Sequence, residues 1–566
     1  MTSTSLSVRA SLLRRACALL AAMALPGCSG CAGRDPLAYV PHDAVTVFVV
    51  PEVEESLEHL DALLDKLGGG LLSGPLLRQP LATVRRELGF DPRKPQTLRD
   101  KGFDPGGGLA VAFSDDLAVL VVAIADTKAV DRTLRQQANK LLRGGAVVQQ
   151  TKIGGVQVHI VTEEGQGAPL GAWTFVKRHV IAGAGRAGKV AEVIARLAQA
   201  KHPLTKNKRF AALRDELGTV DALVYVDQAG ARKAAALQSR RAIRRASPWL
   251  KKHLLRQQRL GERALSYFGG AALGLRLDSR TVRLKAVYSA PAERAQAIRR
   301  LLVGRGDSPG LGKLIGPDAL AMTRVALDLK HLLDQAIEVL PARRKRRLYR
   351  QIEQMERENN FSLDKDALTL LGGRYAAAVY PPPRGALERR PQSARDVARV
   401  LPMAAIAQVR DVKRAQDLLA RLERFLVLRG LDVRPSTRGD RKIYTLESEG
   451  RPLASWTLTD GLLVVGTGKR LMATLALIDG GGESAIDKLR TKAARRALKR
   501  DDGLMLDVDV GKIARALQRL EVGMEAKLLL STVLGALSKL GSITLWIAPG
   551  GPGLLGELSV TLADQG

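Results

Sequence analysis

Several short motifs in this sequence have spacings that chemistry uses. Gly183-Ala184-Gly185-Arg186-Ala187-Gly188 matches G-x-G-x-x-G, in which glycines let backbone amides approach a pyrophosphate at a helix N-terminus. Its strand, however, is the second arm of a hairpin. Twenty residues on stands Lys201-His202-Pro203, where that motif needs a ribose-binding carboxylate. Around Gly466 and Gly468, where the pattern recurs, the third glycine position is Leu471. Gly183, Gly185, Gly466 and Gly468 therefore read as structural turn glycines that begin a helix. As a phosphate loop the first stretch fails too, because Val190 follows Gly188-Lys189 in place of the magnesium-binding Ser or Thr. Gly306-Asp307-Ser308-Pro309-Gly310 matches a nucleophile elbow, G-x-S-x-G, but lacks the strand before and the helix directly after. It reads as a linker.

The seven histidines (42, 59, 159, 179, 202, 253 and 331) are scattered, with no metal-ligand spacing. Asp227, Asp328 and Asp509 each end a strand just before a helix, where a carboxylate accepts backbone N–H groups as an N-cap. The sequence thus predicts no catalytic residue, no metal site and no cofactor.

The elements that hold these motifs repeat. Pro169-Leu170-Gly171-Ala172-Trp173-Thr174 returns as Pro452-Leu453-Ala454-Ser455-Trp456-Thr457, and the match runs without a gap into Gly183–Arg186 against Gly466–Lys469. Gly107-Gly108 matches Gly372-Gly373, and Pro41-His42-Asp43-Ala44 matches Gly316-Pro317-Asp318-Ala319 in character. Repetition on this scale predicts two copies of one unit, 36–290 and 312–566, joined by 291–311, which holds a short Arg-rich helix.

In the first copy, apolar periodicity predicts a strand at Val45–Val50 and helices at Val53–Leu67 and near Leu76–Leu88. A tight Lys177-Arg178 connection joins strands Ala172–Val176 and His179–Ala184. Because strands come mostly in adjacent pairs, the expected class is α+β: two tandem copies of a largely antiparallel sheet with helices packed on a face. The repeated hairpin and helix units, with a P-x-D-A start and a strand, G-x-G, helix step, resemble an uncharacterised class of bacterial envelope proteins known only as a domain of unknown function. That resemblance implies fold and location and carries no activity.

Residues 1–27 read as an export signal: Arg9, Arg14 and Arg15 precede the apolar run Ala16–Leu25, which is too short to span about 30 Å of hydrocarbon. Leu25-Pro26-Gly27-Cys28 resembles the lipobox of bacterial lipoproteins, with Pro26 where Ala or Ser is more usual. The resemblance implies cleavage before Cys28, diacylglyceryl modification of its thiol and acylation of its new amine. Residues 28–35 then form a tether. Cys17, Cys28 and Cys31 are all the cysteines of the 566-residue chain, so residues 32–566 offer no disulfide or thiolate metal site. Ser29 beside the anchor resembles an outer-membrane sorting signal. The expected location is the cell envelope, at the outer membrane, facing periplasm or exterior.

The chain carries 89 Lys and Arg against 57 Asp and Glu. Without the three arginines of residues 1–27, 86 cations face 57 acids, a net +29. The excess is clustered. Arg240, Arg241, Arg244, Arg245, Lys251 and Lys252 begin one basic stretch, Arg343-Arg344-Lys345-Arg346-Arg347 is a second, and Lys488 to Arg500 is a third. Aromatic residues make up 4% and none interleave with these clusters, which argues against nucleic acid as a partner. Anionic lipid headgroups or polysaccharide phosphates fit better, with solvated helix faces as the plain alternative. The functional expectation is a non-enzymatic binding or structural module at an anionic membrane surface. The alternative is a carrier of a lipid or other hydrophobic ligand, with a nucleotide-binding or hydrolytic envelope enzyme behind both.

Overall fold

Short β-branched runs such as Thr46-Val47-Phe48-Val49-Val50 form strands, and longer amphipathic stretches form the helices over them. The computed structural model describes residues 35–563 apart from 68–93, 115–116, 143, 166–167, 186–188, most of 229–268, 303–309, 360, 384–400, 429, 449, 468, 488–501 other than 495, and most of 519–536. The chain divides into two units, Met1–Arg294 with Gly550–Leu555, and Ala295–Pro549 with Gly556–Gly566.

The first unit opens with β1 (Thr46–Val50), α1 (Val53–Leu67), α2 (Pro95–Asp100), β2 (Leu109–Phe113), β3 (Leu117–Ala123) and α3 (Thr127–Leu141). It continues with β4 (Ala146–Ile153), β5 (Val156–Glu163), β6 (Gly171–Val176), β7 (His179–Gly185), α4 (Val190–Ala198) and α5 (Lys208–Leu217). β8 (Ala222–Asp227), β9 (Gly270–Asp278) and β10 (Thr281–Ser289) complete its sheet, whose neighbours run β4-β5-β6-β7-β3-β2-β1-β8-β9-β10, all antiparallel.

After α6 (Ala292–Leu302) the second unit starts with β11 (Ala321–Ala326), α7 (Leu329–Val339), α8 (Ala342–Asn359), β12 (Leu371–Val379), β13 (Met403–Val409) and α9 (Val412–Leu428). β14 (Asp432–Arg438), β15 (Arg441–Ser448), β16 (Arg451–Thr459), β17 (Leu462–Gly466) and α10 (Arg470–Ile478) follow. It ends with β18 (Leu504–Asp509), α11 (Val510–Gln518), β19 (Leu540–Gly550) and β20 (Gly553–Leu562). Its neighbours run β14-β15-β16-β17-β13-β12-β11-β18-β19-β20. This is the strand order of the first unit, element for element. The expected α+β class, with a mostly antiparallel sheet, is what the chain adopts. The predicted helix near Leu76–Leu88 lies outside the described residues.

Local chemistry explains the turns and starts. The β6–β7 hairpin closes through Lys177-Arg178, as its spacing predicts, with Val176 opposite His179 and Lys177 at φ 51°. The matching turn between β16 and β17 uses Asp460 at φ 50° and Gly461 at φ 71°, the two positive values a type I′ turn requires. Asp126 caps α3 by accepting the N–H groups of Lys128 and Ala129 at 2.8 and 3.2 Å. Asp411 caps α9 by accepting that of Arg414 at 3.0 Å.

One face of each sheet meets a short helix after the hairpin. In the first unit α4 buries Val190, Ala191, Ile194 and Ala195 against β5–β7. In the second α10 buries Leu471, Thr474 and Leu475 against β13 and β17. Beneath each helix a fully buried threonine donates its hydroxyl to a neighbouring carbonyl, Thr174 to Gln157 at 2.6 Å and Thr457 to Lys442 at 2.7 Å.

The opposite face of the first sheet is a dry core. Val53 and Leu57 of α1, Leu98 of α2 and Val130 and Ala138 of α3 pack there on Val50, Leu109, Val111, Val122 and Val180. A polar clamp fixes α3 to the same face. Asp131 accepts the indole N–H of Trp173 at 3.0 Å and the Arg135 Nε–H at 2.7 Å, and its Oδ1 lies 3.2 Å from His159 Nδ1. The His159 ring stacks on Trp173 at 5.1 Å between centroids and meets Phe175 edge-on at 5.8 Å. Burial pushes the His159 pKa below its ordinary value; Asp131 opposes this and Arg135 adds to it.

A His held below its unfolded pKa of about 6.5 stabilises the fold in its neutral form. That contribution is complete above the unfolded pKa and is lost as pH falls through the folded one. Urea unfolding followed at pH 7 and pH 5 should therefore show a loss of stability on acidification that His159→Phe diminishes. An undiminished loss would remove His159 from the account.

Candidate functional site

The same face of the second sheet is not filled. Register places Thr323, Ala377, Ala405 and Val465 side by side across β11, β12, β13 and β17. Two residues along each strand, Val325, Tyr375, Ala407 and Leu463 form a second row. In the first unit the corresponding rows are Phe48-Val111-Leu120-Ala182 and Val50-Leu109-Val122-Val180. Five of those eight, Val50, Leu109, Val111, Val122 and Val180, are at most 9% exposed, whereas none of the eight in the second unit is buried. Although Val465, Tyr375 and Leu463 are larger than Ala182, Leu109 and Val180, four changes outweigh them: Thr323 stands for Phe48, Ala377 for Val111, Ala405 for Leu120 and Ala407 for Val122. Each shortens a side chain on one patch, and the outcome is a hollow of about 180 Å³ lined by both rows.

The helical cover over this patch is also thin. On this side Ala415 of α9 joins Leu370 and Val409 in a small buried cluster, with Leu418, Leu458 and Leu463 packed around it. Farther along α9, Leu422, Phe425, Val427 and Leu428 are 43, 38, 54 and 85% exposed. The hollow is apolar except near Tyr375, whose hydroxyl is buried without a hydrogen-bond partner among the described residues. Burial pushes that phenol up to about 12; the Asp328 carboxylate raises it further, and the Arg410 guanidinium opposes. Arg410 itself is exposed.

A second surface feature in this unit is α8. Its first nine residues include Arg343, Arg344, Lys345, Arg346, Arg347 and Arg350, all exposed except the half-buried Lys345. Leu348, Ile352 and Met355 recur at intervals of four and three and so share one side of the helix. Tyr349 and Met355 are 45% and 37% exposed. Apolar stripe and cationic turn therefore both reach solvent on one helix.

The other sequence-predicted residues resolve as follows. Gly183 and Gly185 lie inside β7, and Gly466 ends β17; none has a positive φ. They are structural, but Gly183 and Gly466 serve close packing rather than a turn. A Cβ on Gly183 would sit 2.7 Å from Ile194 Cδ1, and one on Gly466 would sit 2.5 Å from the Leu471 backbone nitrogen. Gly468, Cys28, Ser308, Arg240, Arg241, Arg244, Arg245 and Lys252 lie outside the described residues, while Lys251 is exposed.

The three strand-end aspartates cap as predicted. Asp227 accepts from Gly230 at 3.0 Å, Asp328 from His331 at 3.0 Å and Asp509 from Lys512 at 2.8 Å. Sequence reasoning missed the pairing of His59 Nδ1 with the buried Asp221 carboxylate at 3.6 Å, which a separation of 162 residues conceals. Ser56, one turn before His59 on α1, is fully buried, so no substrate reaches its hydroxyl. Among the described residues no group of three or more His, Cys, Asp or Glu side chains could hold a metal ion. Nor is any described helix long and apolar enough to cross a membrane.

No family model and no curated protein matches the chain. Among solved structures, crystal forms III, IV and I of a protein named TP0453 align at 12, 13 and 10% identity. They cover 48, 48 and 46% of this chain and 90, 89 and 81% of theirs, with TM-scores of 0.25, 0.25 and 0.23. A likeness that slight carries no argument about fold or function.

If the hollow is a deficit of side-chain volume, filling it should stabilise the chain. Ala377→Val with Ala405→Leu, the residues that occupy these places in the first unit, should raise unfolding free energy by about 0.5–2 kcal/mol. Gly466→Ala, which meets backbone, should lower it by about 1–3 kcal/mol. Urea titration measures both, and a filled variant less stable than the parent would contradict the open face.

Proposed function

We propose that the chain is a lipid-anchored bacterial envelope protein, held at Cys28, whose body is built from two copies of one α+β unit and binds an anionic membrane surface without catalysis. The identical strand order of the two units supports the two-copy reading. The observation that carries the surface reading is α8. A helix with clustered Arg and Lys beside half-buried Leu348 and Ile352 and exposed Tyr349 and Met355 has the composition of helices that lie in the plane of a membrane interface. Each cation near an anionic leaflet contributes about 1 kcal/mol, so the six in its first nine residues supply an attraction of several kcal/mol that salt weakens. An acylated Cys28 would add about 0.8 kcal/mol per buried CH₂. Together the two signals would keep the body against the bilayer. The open apolar face of the second unit favours a second reading, that of a carrier of a hydrophobic ligand.

Two experiments test this. Metabolic labelling with an acyl analogue should mark the chain and fail to mark Cys28→Ala; equal labelling of both would end the anchor. The Cys28→Ala chain should float with phosphatidylglycerol vesicles at 0.15 M salt and not with phosphatidylcholine vesicles. Replacing Arg343, Arg344, Arg346 and Arg347 with Gln should reduce that flotation at least tenfold. Flotation that ignores lipid charge would refute the surface reading.

A further inference from the structure

We infer that the hollow on the second sheet is a binding site for a single acyl chain of an anionic phospholipid. This deepens the carrier reading and does not depend on α8 lying on a membrane.

The dimensions select the occupant. Four strands spaced about 4.8 Å apart make a slot about 14 Å long, and two rows two residues apart make it about 7 Å wide. An α-helix, about 10–12 Å across with its side chains, does not enter such a slot. Nor does a peptide strand, since the four strands that form it are paired on both sides and offer no free edge. One extended hydrocarbon chain does fit. A dry apolar cavity of about 150 Å³ accepts benzene, so about 180 Å³ has room for a chain on the order of seven carbons by the same scale.

The walls suit it chemically. Ala377, Ala405, Ala407, Val465 and Leu463 present methyl groups, and the floor makes no polar demand. Thr323 donates its hydroxyl to the Met505 carbonyl at 3.0 Å and is thereby satisfied.

Charge decides between a phospholipid and other apolar ligands. Arg410 follows directly on β13, whose Ala405 and Ala407 line the slot, and it is exposed, so a phosphate leaving the slot at that end of β13 meets a cation. Among the described residues of the first unit, Phe48, Val111 and Leu120 occupy the corresponding space.

The test uses the full chain and dihexanoyl phosphatidylglycerol below its micelle concentration, followed by calorimetry. Binding should occur with a negative heat-capacity change. It should weaken at least tenfold in Ala377→Val/Ala405→Leu, whose unfolding midpoint verifies that it folds, and several-fold in Arg410→Gln. Calorimetry reads a lipid monomer and flotation reads a vesicle surface, so a failure of the membrane-surface reading leaves this result standing. Equal affinity for glycerophosphoglycerol, which lacks acyl chains, or for hexanoate would overturn the assignment, as would undiminished binding to the filled variant. Independently of any substitution, a phosphatidylglycerol carrying a diazirine on its chain should label peptides of β12 and β13. Labelling confined to α8 or to the first unit would overturn the proposal.

Discussion

The volume of side chain placed on one face of a sheet decides whether that face becomes core or cavity. Interiors are packed at near-crystalline density, so a deficit of a few methyl groups at facing positions is not spread through the structure but remains a hollow. Phe48, Val111, Leu120 and Val122 against Thr323, Ala377, Ala405 and Ala407 is such a deficit, set by four positions on three neighbouring strands. Around the large residues α1, α2 and α3 close down and exclude water. Over the small ones the buried cluster shrinks to Leu370, Val409 and Ala415, and much of the apolar surface of α9 stays in solvent. Two units with one strand order thus present a sealed face and an open one.

The other face has no such freedom. There the chain needs a helix tight against the strand that precedes it, and the strand supplies glycine where a Cβ would strike that helix. Thr174 and Thr457, buried under α4 and α10, return their hydroxyls to the neighbouring strand, so both are met. Shared packing on this side fixes the common architecture and leaves the opposite face to differ.

Much of this was readable in the residues. The Trp173 and Trp456 repeats land on matching strands, β6 and β16, each beside an aromatic or imidazole ring: His159 at 5.1 Å and Tyr444 at 5.9 Å. The hairpin at Lys177-Arg178 and the capping aspartates were local signals, and local signals survive folding because turn and cap geometry depend on few neighbours. The glycines were seen as special for the wrong reason, since a packing requirement and a turn requirement leave the same letter in the sequence. The hollow was not visible. Its rows draw on positions 323, 377, 405 and 465, separated by up to 142 residues, and an alanine in a strand does not reveal what stands opposite until the register is known. The His59–Asp221 pair was hidden for the same reason.

Thiol accessibility measures the contrast between the two faces directly. With Cys17, Cys28 and Cys31 replaced by serine, the chain has no other cysteine, so a single one can be introduced at Ala405 or Ala377 in the second unit, or at Val111 in the first. In the folded protein the thiols at 405 and 377 should react with a small alkylating reagent within an order of magnitude of their rate in urea. The thiol at 111 should be protected by several orders of magnitude. Equal protection at all three positions would mean that the second sheet is sealed like the first, and the distinction between the units would fall with it.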